Sequence, residues 1–489
     1  MGTYLLILSE LQLKVRMAAV MDKQHDATVA FSVEQLKPIA RRNSFILAIV
    51  LGLAWAGRQL LPTFGGIIAV RLTGARSLGG AMFAVLMLST ATGAWQAGRW
   101  MDRAGRRPAL ATAFVVAAVG ALLVGSSLVV RSFALALIGS AVMGYGTGVG
   151  QLARVAAADM YPIRQRAKAV SYVLMGAAVG TIIGPIATAA LEKWATTNGV
   201  NPIVAPWFMF PIAYLLGVVA ILMLRPDPLN IAMRIAELDT ETRAVMQASV
   251  LRTRRELLRM RPVWAAIVAI AALETTMVMI MAIVPLGMAD LGYSLPLIST
   301  LIAVHFIGMF ALSIPSGWVA DRIGRKPILV AGCLVSAAGC LMISASSAVL
   351  VVGGGFYCVG LGWSLTYLTA TTILADVTHP HERAGLIGVM DFAMAATAST
   401  ASLVSGEIYA LGGLGVLGLV GMALTLPPFL AGLRLHESRV GVYGVTSPGS
   451  SSGSNLKSAV ELPESELLSI KADSQGLLDR ILKSGPGPD

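Results

Sequence analysis

Two nearly identical charged stretches, one in each half of the sequence, constrain this chain more than any other feature. Residues 98–108 read Gly-Arg-Trp-Met-Asp-Arg-Ala-Gly-Arg-Arg-Pro, and residues 317–327 read Gly-Trp-Val-Ala-Asp-Arg-Ile-Gly-Arg-Lys-Pro. Asp102 and Asp321 are therefore 219 residues apart (321 minus 102). A charged turn that recurs between long apolar runs predicts two related halves.

The repeat extends beyond these turns. Asp159 and Arg166 recur as Asp376 and Arg383, at an offset of 217 (376 minus 159), and a proline lies between the members of each pair. Within the turns, Gly105 and Gly324 permit a backbone bend that other residues resist. The spacing predicts that both halves contain the same number of helices.

The apolar runs identify the solvent of this fold. Hydrophobic residues make up 56% of the 489 residues and charged residues only 13%, about half the roughly 25% of a soluble protein. A water-soluble fold could not bury that much apolar surface, so we expect an all-α integral membrane protein. The basic residues behind the net charge of +11 lie in short loops, which argues for membrane orientation and against nucleic-acid binding.

Runs of about 20 residues are long enough to cross the hydrocarbon, and twelve are present. We predict spans at 44–67, 78–99, 109–130, 133–157, 167–191, 205–224, 263–286, 296–317, 328–346, 349–374, 384–407 and 413–432. The predicted domains are a segment over 1–43, six-helix halves over 44–224 and 263–435, a linker over 225–262, and a partly disordered tail over 436–489. Basic residues concentrate in the loops after the even-numbered spans, so we expect these loops and both termini to be cytoplasmic, in the plasma membrane.

The repeated turn resembles the loop motif of the major facilitator superfamily, Gly-x-x-x-Asp-Arg-x-Gly-Arg-Arg/Lys, which lies between helices 2 and 3. The resemblance covers residues 44 to 435. It implies twelve helices in two pseudo-symmetric halves, transport by alternating access, and cytoplasmic charge clusters that close the inner side. The residues that would form these clusters are Gly98, Asp102, Arg103, Gly105, Arg106, Asp159, Arg166, Gly317, Asp321, Arg322, Gly324, Arg325, Asp376 and Arg383.

Ionisable residues inside spans are costly in lipid and are therefore candidates for function. Arg58 and Glu274 lie near the middle of spans 1 and 7, at nearly equivalent positions of the two halves, so we expect them to face each other or share a substrate. A structural ion pair is the alternative. Asp391 and His305 could carry a proton; Asp391 could instead fix the start of its helix, and His305 could be a packing residue. Arg154 is assigned to the charge cluster around Asp159.

Polar and aromatic residues at helical spacing are further candidates for the walls of a central cavity, although such stripes also occur at packing positions. They are Trp55, Gln59, Tyr145, Gln151, Trp363, Thr366 and Tyr367. The resemblance adds part of the helix-5 motif of antiporters, at Gly180, Gly184 and Pro185, together with Gly176. The motif that sugar transporters carry after helix 6 is missing, and Arg225-Pro226-Asp227-Pro228 stands in its place.

No phosphate-binding loop, zinc spacing or nucleophile motif is present, so we expect neither an enzyme, nor a metal site, nor a cofactor. We predict a secondary active transporter of a small organic molecule, a functional monomer with lipid and substrate as its partners and the proton as its coupling ion. Efflux is favoured by the partial helix-5 motif. A proton-coupled uptake symporter and a transporter-like ligand sensor are the alternatives.

Overall fold

The computed structural model describes residues 36–162, 165–238, 254–310, 319, 322–377 and 380–433, with the backbone alone at a few helical positions. The predicted N-terminal segment before 36 and the C-terminal tail after 433 lie outside these ranges. The described residues form helices and contain no strand. The prediction of an all-α integral membrane protein is confirmed.

The N-terminal half consists of six long apolar helices. They are α1 (Leu36–Thr73), α2 (Ala81–Ala104), α3 (Arg106–Val130), α4 (Phe133–Asp159), α5 (Arg166–Thr197) and α6 (Ala205–Leu222). The predicted spans match these helices within about three residues at most ends. However, α2 and α5 end five and six residues after their predicted ends (104 minus 99 and 197 minus 191), and α1 begins at 36 rather than 44 and extends beyond 67. Its amphipathic first turns bury Ala40 and Asn43 inside the bundle, so the helix continues past the membrane-length run.

The C-terminal half repeats this pattern. Its helices are α7 (Arg261–Asp290), α8 (Leu295–Phe310), α9 (Arg325–Ala345), α10 (Val349–Val377), α11 (Pro380–Leu424) and α12 (Leu426–Leu433). The backbone of α11 leaves helical geometry at Gly412 and Gly413, within the turn predicted between spans 11 and 12. α11 therefore supplies the eleventh span and most of the twelfth, which α12 completes.

The two copies of the charged turn lie at the same end of the bundle, which we call the motif end. Gly105 and Gly324 have φ angles of +92° and +103° and precede the first residues of α3 and α9. Only glycine adopts this backbone readily, which is why the turn needs it at both positions. The chain can thus reverse within one residue between α2 and α3.

The halves meet mainly at the other end, which we call the distal end. There α1 packs on α7, α2 on α11, and α5 on α8. The contacts of α2 with α11 and of α5 with α8 are equivalent by the six-plus-six repeat, because α2 corresponds to α8 and α5 corresponds to α11. Close packing is extreme where α2 begins: a Cβ atom at Gly80 would lie 1.5 Å from the Ser402 carbonyl oxygen.

Candidate functional site

Arg58 lies within α1, and its guanidinium has unusual neighbours. One Nη atom donates to the thioether sulfur of Met87 at 3.3 Å. The guanidinium carbon lies 4.8 Å from the ring centre of Trp55, one turn earlier on the same helix. Its Nε–H is buried and has no hydrogen-bond partner among the residues that the structure describes. A sulfur atom and an aromatic face stabilise a cation only weakly, so this charge is incompletely satisfied.

Glu274 lies on α7 and is held by a residue of α10. Trp363 donates its indole N–H to the Glu274 carboxylate at 2.5 Å. The indole in turn stacks on Tyr367, one turn further along α10, with ring centres 4.9 Å apart and planes tilted by 14°. The carboxylate is thus fixed beside an aromatic pair, and all three side chains come from the C-terminal half.

Arg58 and Glu274 were expected to face each other, and they lie close enough to influence each other electrostatically. They do not form an ion pair within 4.0 Å. Each side chain instead forms a hydrogen bond within its own half: Arg58 donates to Met87, and Glu274 accepts from Trp363. The gap between them lies at the junction of the halves.

Asp391 joins the halves nearer the motif end. Its carboxylate lies 3.5 Å from the guanidinium of Arg154 on α4, and both side chains keep about a third or more of their surface exposed (40% and 34%). The assignment of Arg154 to the loop cluster around Asp159 was wrong. Position 154 lies on the face of α4 that points towards α11, which helix spacing alone does not reveal.

The other cavity candidates differ in burial: some side chains are half-buried, and others are almost completely buried. Tyr145 donates to the Gln96 side chain at 3.0 Å, and Gln151 is half-buried. Gln59 is almost completely enclosed at 3% exposure. Thr366 does not line a cavity and is a correction: it is fully buried, bonds the Gly362 carbonyl at 3.0 Å, and packs against Gly332 of α9.

His305 is fully buried in α8. Its Nδ1 is 2.7 Å from the Phe356 carbonyl oxygen, and its ring stacks on that of Phe356 with centres 4.3 Å apart. Both contacts are with the neighbouring α10 of the same half. They favour the packing interpretation of this histidine over a role as a proton carrier.

At the motif end, Arg106 forms a salt bridge with Asp159. The guanidinium donates to one carboxylate oxygen through Nη at 2.9 Å and through Nε at 3.2 Å, and both side chains are mostly buried. Arg166 donates through Nε to the Tyr161 carbonyl at 3.2 Å, and Arg103 is exposed. The start of α3 is therefore tied to the end of α4.

Parts of the predicted charge clusters fall outside the described structure. Gly317 and Asp321 are not described. Asp102, Asp376 and Arg383 are described only by their helical backbone, as is Gly98. In the second copy, Arg322 is exposed, Arg325 opens α9, and the neighbouring Lys326 donates to the Leu433 carbonyl at 2.7 Å.

Asp227 links two helices at the motif end, a role that sequence reasoning missed. Its carboxylate accepts hydrogen bonds from the backbone N–H groups of Arg106 at 3.2 Å and Arg107 at 2.9 Å. It also caps the linker helix Pro228–Leu238 through the Leu229 N–H at 2.8 Å. One side chain thus caps two helices. The sequence showed an Asp before a Pro, a typical helix start, but could not show that α3 begins beside it.

In the described part of the linker, the first helix buries Ile231 and Ile235 against the bundle, next to α3 and α4. The linker residues 239–253 lie outside the described structure.

Three polar contacts hold the distal end closed, and sequence reasoning missed all of them. Arg76 pairs with Asp290 at 2.9 Å, and Tyr409 donates to the same carboxylate at 2.8 Å. Glu192 of α5 accepts from Ser299 of α8 at 3.0 Å. The predicted span 5 ended at 191, so Glu192 was counted as a loop residue. An acidic residue just past a predicted span end was the available signal.

Among the residues that the structure describes, no group of three or more His, Cys, Asp and Glu side chains is placed to hold a metal ion. Cys333 and Cys340 are buried as packing residues, and Cys358 is half-buried. What the arrangement can do is bind and release a charged or polar molecule between two halves.

Comparison with known proteins decides the family. The sequence matches the Major Facilitator Superfamily over residues 45–286 and 267–442. The chain belongs to this superfamily. It is a transporter and not an enzyme, as the sequence predicted.

Several relatives share this superfamily membership. The uncharacterized MFS-type transporter YdeG of Bacillus subtilis (strain 168) is 29% identical over 78% of this chain and 88% of its own length. The riboflavin transporter RfnT of Brucella anthropi is 25% identical over 76% of this chain and 89% of its own. A crystal structure of a bacterial homolog of the human lysosomal transporter Spinster, inward-facing and unoccupied, has the same fold, with a TM-score of 0.60 at 14% identity over 81% of this chain and 96% of its own.

The glycines of the partial helix-5 motif have a clear packing role. A Cβ atom at Gly180 would lie 1.9 Å from the Gly52 carbonyl oxygen, and one at Gly184 would lie 2.7 Å from that of Ala56. Gly176 makes the same close approach to Ala48, at 2.0 Å. Glycines four residues apart on α5 therefore follow α1 along one stripe, and only residues without a side chain allow this approach. Pro185 lies inside α5 directly after the stripe.

Proposed function

We propose that this transporter moves a small organic molecule by alternating access, coupled to protons, with efflux as its favoured direction. The observation that carries the proposal is the line of charged groups at the junction of the halves. Arg58 and Glu274 lie near mid-membrane without an ion pair between them, and the Arg154–Asp391 pair lies between them and the motif end. Groups held this way can change partners when the halves rock.

The distribution of contacts between the halves supports the same cycle. At the distal end, backbones nearly touch at Gly80 and Ser402, and Arg76 pairs with Asp290. Towards the motif end, the partly exposed Arg154–Asp391 pair joins the halves. If the motif end is cytoplasmic, as the basic loops suggest, this arrangement corresponds to an inward-facing state.

Coupling to protons rests on the carboxyl groups. A carboxylate at mid-membrane depth is disfavoured unless it is paired, and taking up a proton removes its charge. Glu274 alternates, in this proposal, between contact with Arg58 or a substrate group and a protonated form. Asp391 is the second candidate, because its partial exposure keeps it accessible from the motif end.

Flux through proteoliposomes under an imposed pH gradient tests the proposal. Efflux predicts that substrate moves against the direction of the proton flow, and an uptake symporter predicts movement with it. A relative named as a riboflavin transporter makes riboflavin a reasonable first cargo to try. Binding without any flux, in either direction, would instead identify a ligand sensor and refute the transport mechanism.

A further inference from the structure

Arg58 has hydrogen-bonding capacity that the protein does not use. A guanidinium carries five N–H donors. Of these, one Nη meets a thioether sulfur, which is a weak acceptor, and the buried Nε–H meets nothing. The nearby carboxylate of Glu274 is beyond ion-pair distance and already accepts from Trp363. Strong acceptors for this cation are therefore missing in the described structure.

The other charges of the same region are better satisfied. Arg154 has the Asp391 carboxylate at 3.5 Å, and Glu274 has the Trp363 indole at 2.5 Å. Arg58 is the charge with open capacity among these four. An unpaired cation inside a membrane span is expensive, and such residues commonly mark a substrate path. The missing acceptor is best supplied by a ligand.

The surroundings of Arg58 also describe the rest of that ligand. Trp55 is half-buried beneath the guanidinium, and the stacked Trp363 and Tyr367 are half-buried beside Glu274. Aromatic side chains that keep part of their surface exposed favour flat, apolar partners. Charge recognition and ring surface thus lie next to each other at the junction of the halves.

We propose that the substrate is an organic anion in which a carboxylate is attached to a planar aromatic body. Its carboxylate binds the Arg58 guanidinium through two parallel N–H···O bonds, and its ring lies against Trp55 and the Trp363–Tyr367 pair. The inference rests on the proposed function and narrows its substrate class. It opposes the alternative of a cationic substrate held by Glu274.

Calorimetric titration of the full chain in lipid nanodiscs tests this, with empty nanodiscs subtracted. Three probes separate the features: 2-naphthoate carries ring and anion, 2-naphthylmethylammonium carries the same ring with a cation, and decahydro-2-naphthoate carries the anion without an aromatic face. We expect 2-naphthoate to bind the most tightly of the three. Tighter binding of the ammonium probe would overturn the proposal, and equal binding of the two anions would overturn its aromatic part.

Variants locate the binding. Arg58→Gln should weaken 2-naphthoate binding by at least about tenfold, since a buried charge partner is lost. Arg58→Lys should give an intermediate loss, because it keeps the charge but not the planar fork. Glu274→Gln should tighten binding by removing a repelling charge. Arg131→Gln, at an exposed turn after α3, is the matched control and should change nothing.

The binding affinities of the variants can either support or refute Arg58 as the anion site. If Arg58→Gln and Arg131→Gln bind 2-naphthoate alike, or if Glu274→Gln abolishes binding, Arg58 is not the anion site. Because Glu274→Gln keeps Arg58, its tighter binding supports the site even if Arg58→Gln folds poorly. The titration measures binding and does not require flux. A negative result would therefore refute the proposed substrate class without deciding whether the protein transports, which the flux experiment tests separately.

Discussion

Ser299 of α8 donates a hydrogen bond to Glu192 of α5 across the junction of the two halves, and the two oxygens are 3.0 Å apart. Both residues are fully buried, and the second carboxylate oxygen of Glu192 has no hydrogen-bond partner in the described part of the chain. Burying an ionised carboxylate with an unpaired oxygen is costly, whereas a neutral carboxyl avoids most of this cost. This contact therefore makes closure of the distal end sensitive to the charge of one side chain.

We predict that Glu192→Ala opens the distal end. It leaves the Ser299 hydroxyl unsatisfied, at a cost of roughly 1–3 kcal/mol, and removes buried volume. The measurement is the labelling rate of Ser405→Cys by an impermeant maleimide, in a background where Cys333, Cys340 and Cys358 are alanine. Ser405 is fully buried in the closed arrangement, so labelling should accelerate several-fold.

Glu192→Gln should behave differently, because the amide oxygen still accepts from Ser299 and carries no charge. Labelling should stay slow, and once the faster reaction of the thiolate at higher pH is corrected for with a free thiol, it should not accelerate as the pH rises. Lys193→Ala, at the exposed neighbouring position, controls for changes at the end of α5. Equal labelling in all three variants would show that Glu192 has no part in closure.

At the motif end, we predict that Asp159→Asn slows transport and leaves insertion in the membrane unchanged. The substitution removes the charge from the pair with Arg106, which holds the start of α3 against the end of α4. Asp102→Asn should have the same effect through the charged turn. Initial flux rates in proteoliposomes at equal protein content measure this, with the exposed Lys168→Gln as control. Wild-type rates in both aspartate variants would show that the charged turn sets membrane topology and does not act in transport.

Glu274 provides the test of proton coupling. Glu274→Gln should abolish pH-driven accumulation and still permit downhill exchange, because an amide cannot release a proton. Trp363→Phe is the comparison, since it removes the indole donor and keeps the carboxyl group. Accumulation against a gradient in Glu274→Gln would exclude Glu274 as the coupling site and make Asp391 the leading candidate.

The contact of α5 with α1 predicts a steric effect on stability. Gly180→Leu places a side chain where a Cβ atom alone would lie 1.9 Å from a carbonyl oxygen. The helices must separate, at a cost of at least about 1–3 kcal/mol. The melting temperature in detergent should fall for this variant. Gly388→Leu on α11, where a Cβ would meet nothing within 4 Å, should melt close to the wild type.

Orientation can be checked independently of transport. The basic loops predict that the linker and the chain after α12 are both cytoplasmic. Reporter fusions after Pro226 and after His436 should therefore both report cytoplasm. A reporter on the other side of the membrane at either position would remove the six-plus-six topology with cytoplasmic ends.

The sequence by itself determined the membrane fold, the two halves and the helix boundaries near Gly105 and Gly324. These follow from local properties: the length of apolar runs, the conformational freedom of glycine, and a repeat that is visible along the chain. Arg58 and Glu274 could also be selected from the sequence, because a charge inside an apolar run is conspicuous wherever its partner lies.

Tertiary structure alone decided which charges meet. Arg154 pairs with Asp391 rather than joining Asp159, and Trp363, not Arg58, holds Glu274. These partners lie 237 and 89 residues apart in the chain (391 minus 154 and 363 minus 274), and helix periodicity gives a residue's face without naming the helix opposite. The physical reason is that ion pairs and hydrogen bonds act over a few ångströms, so only the packed arrangement of the helices selects among the possible partners.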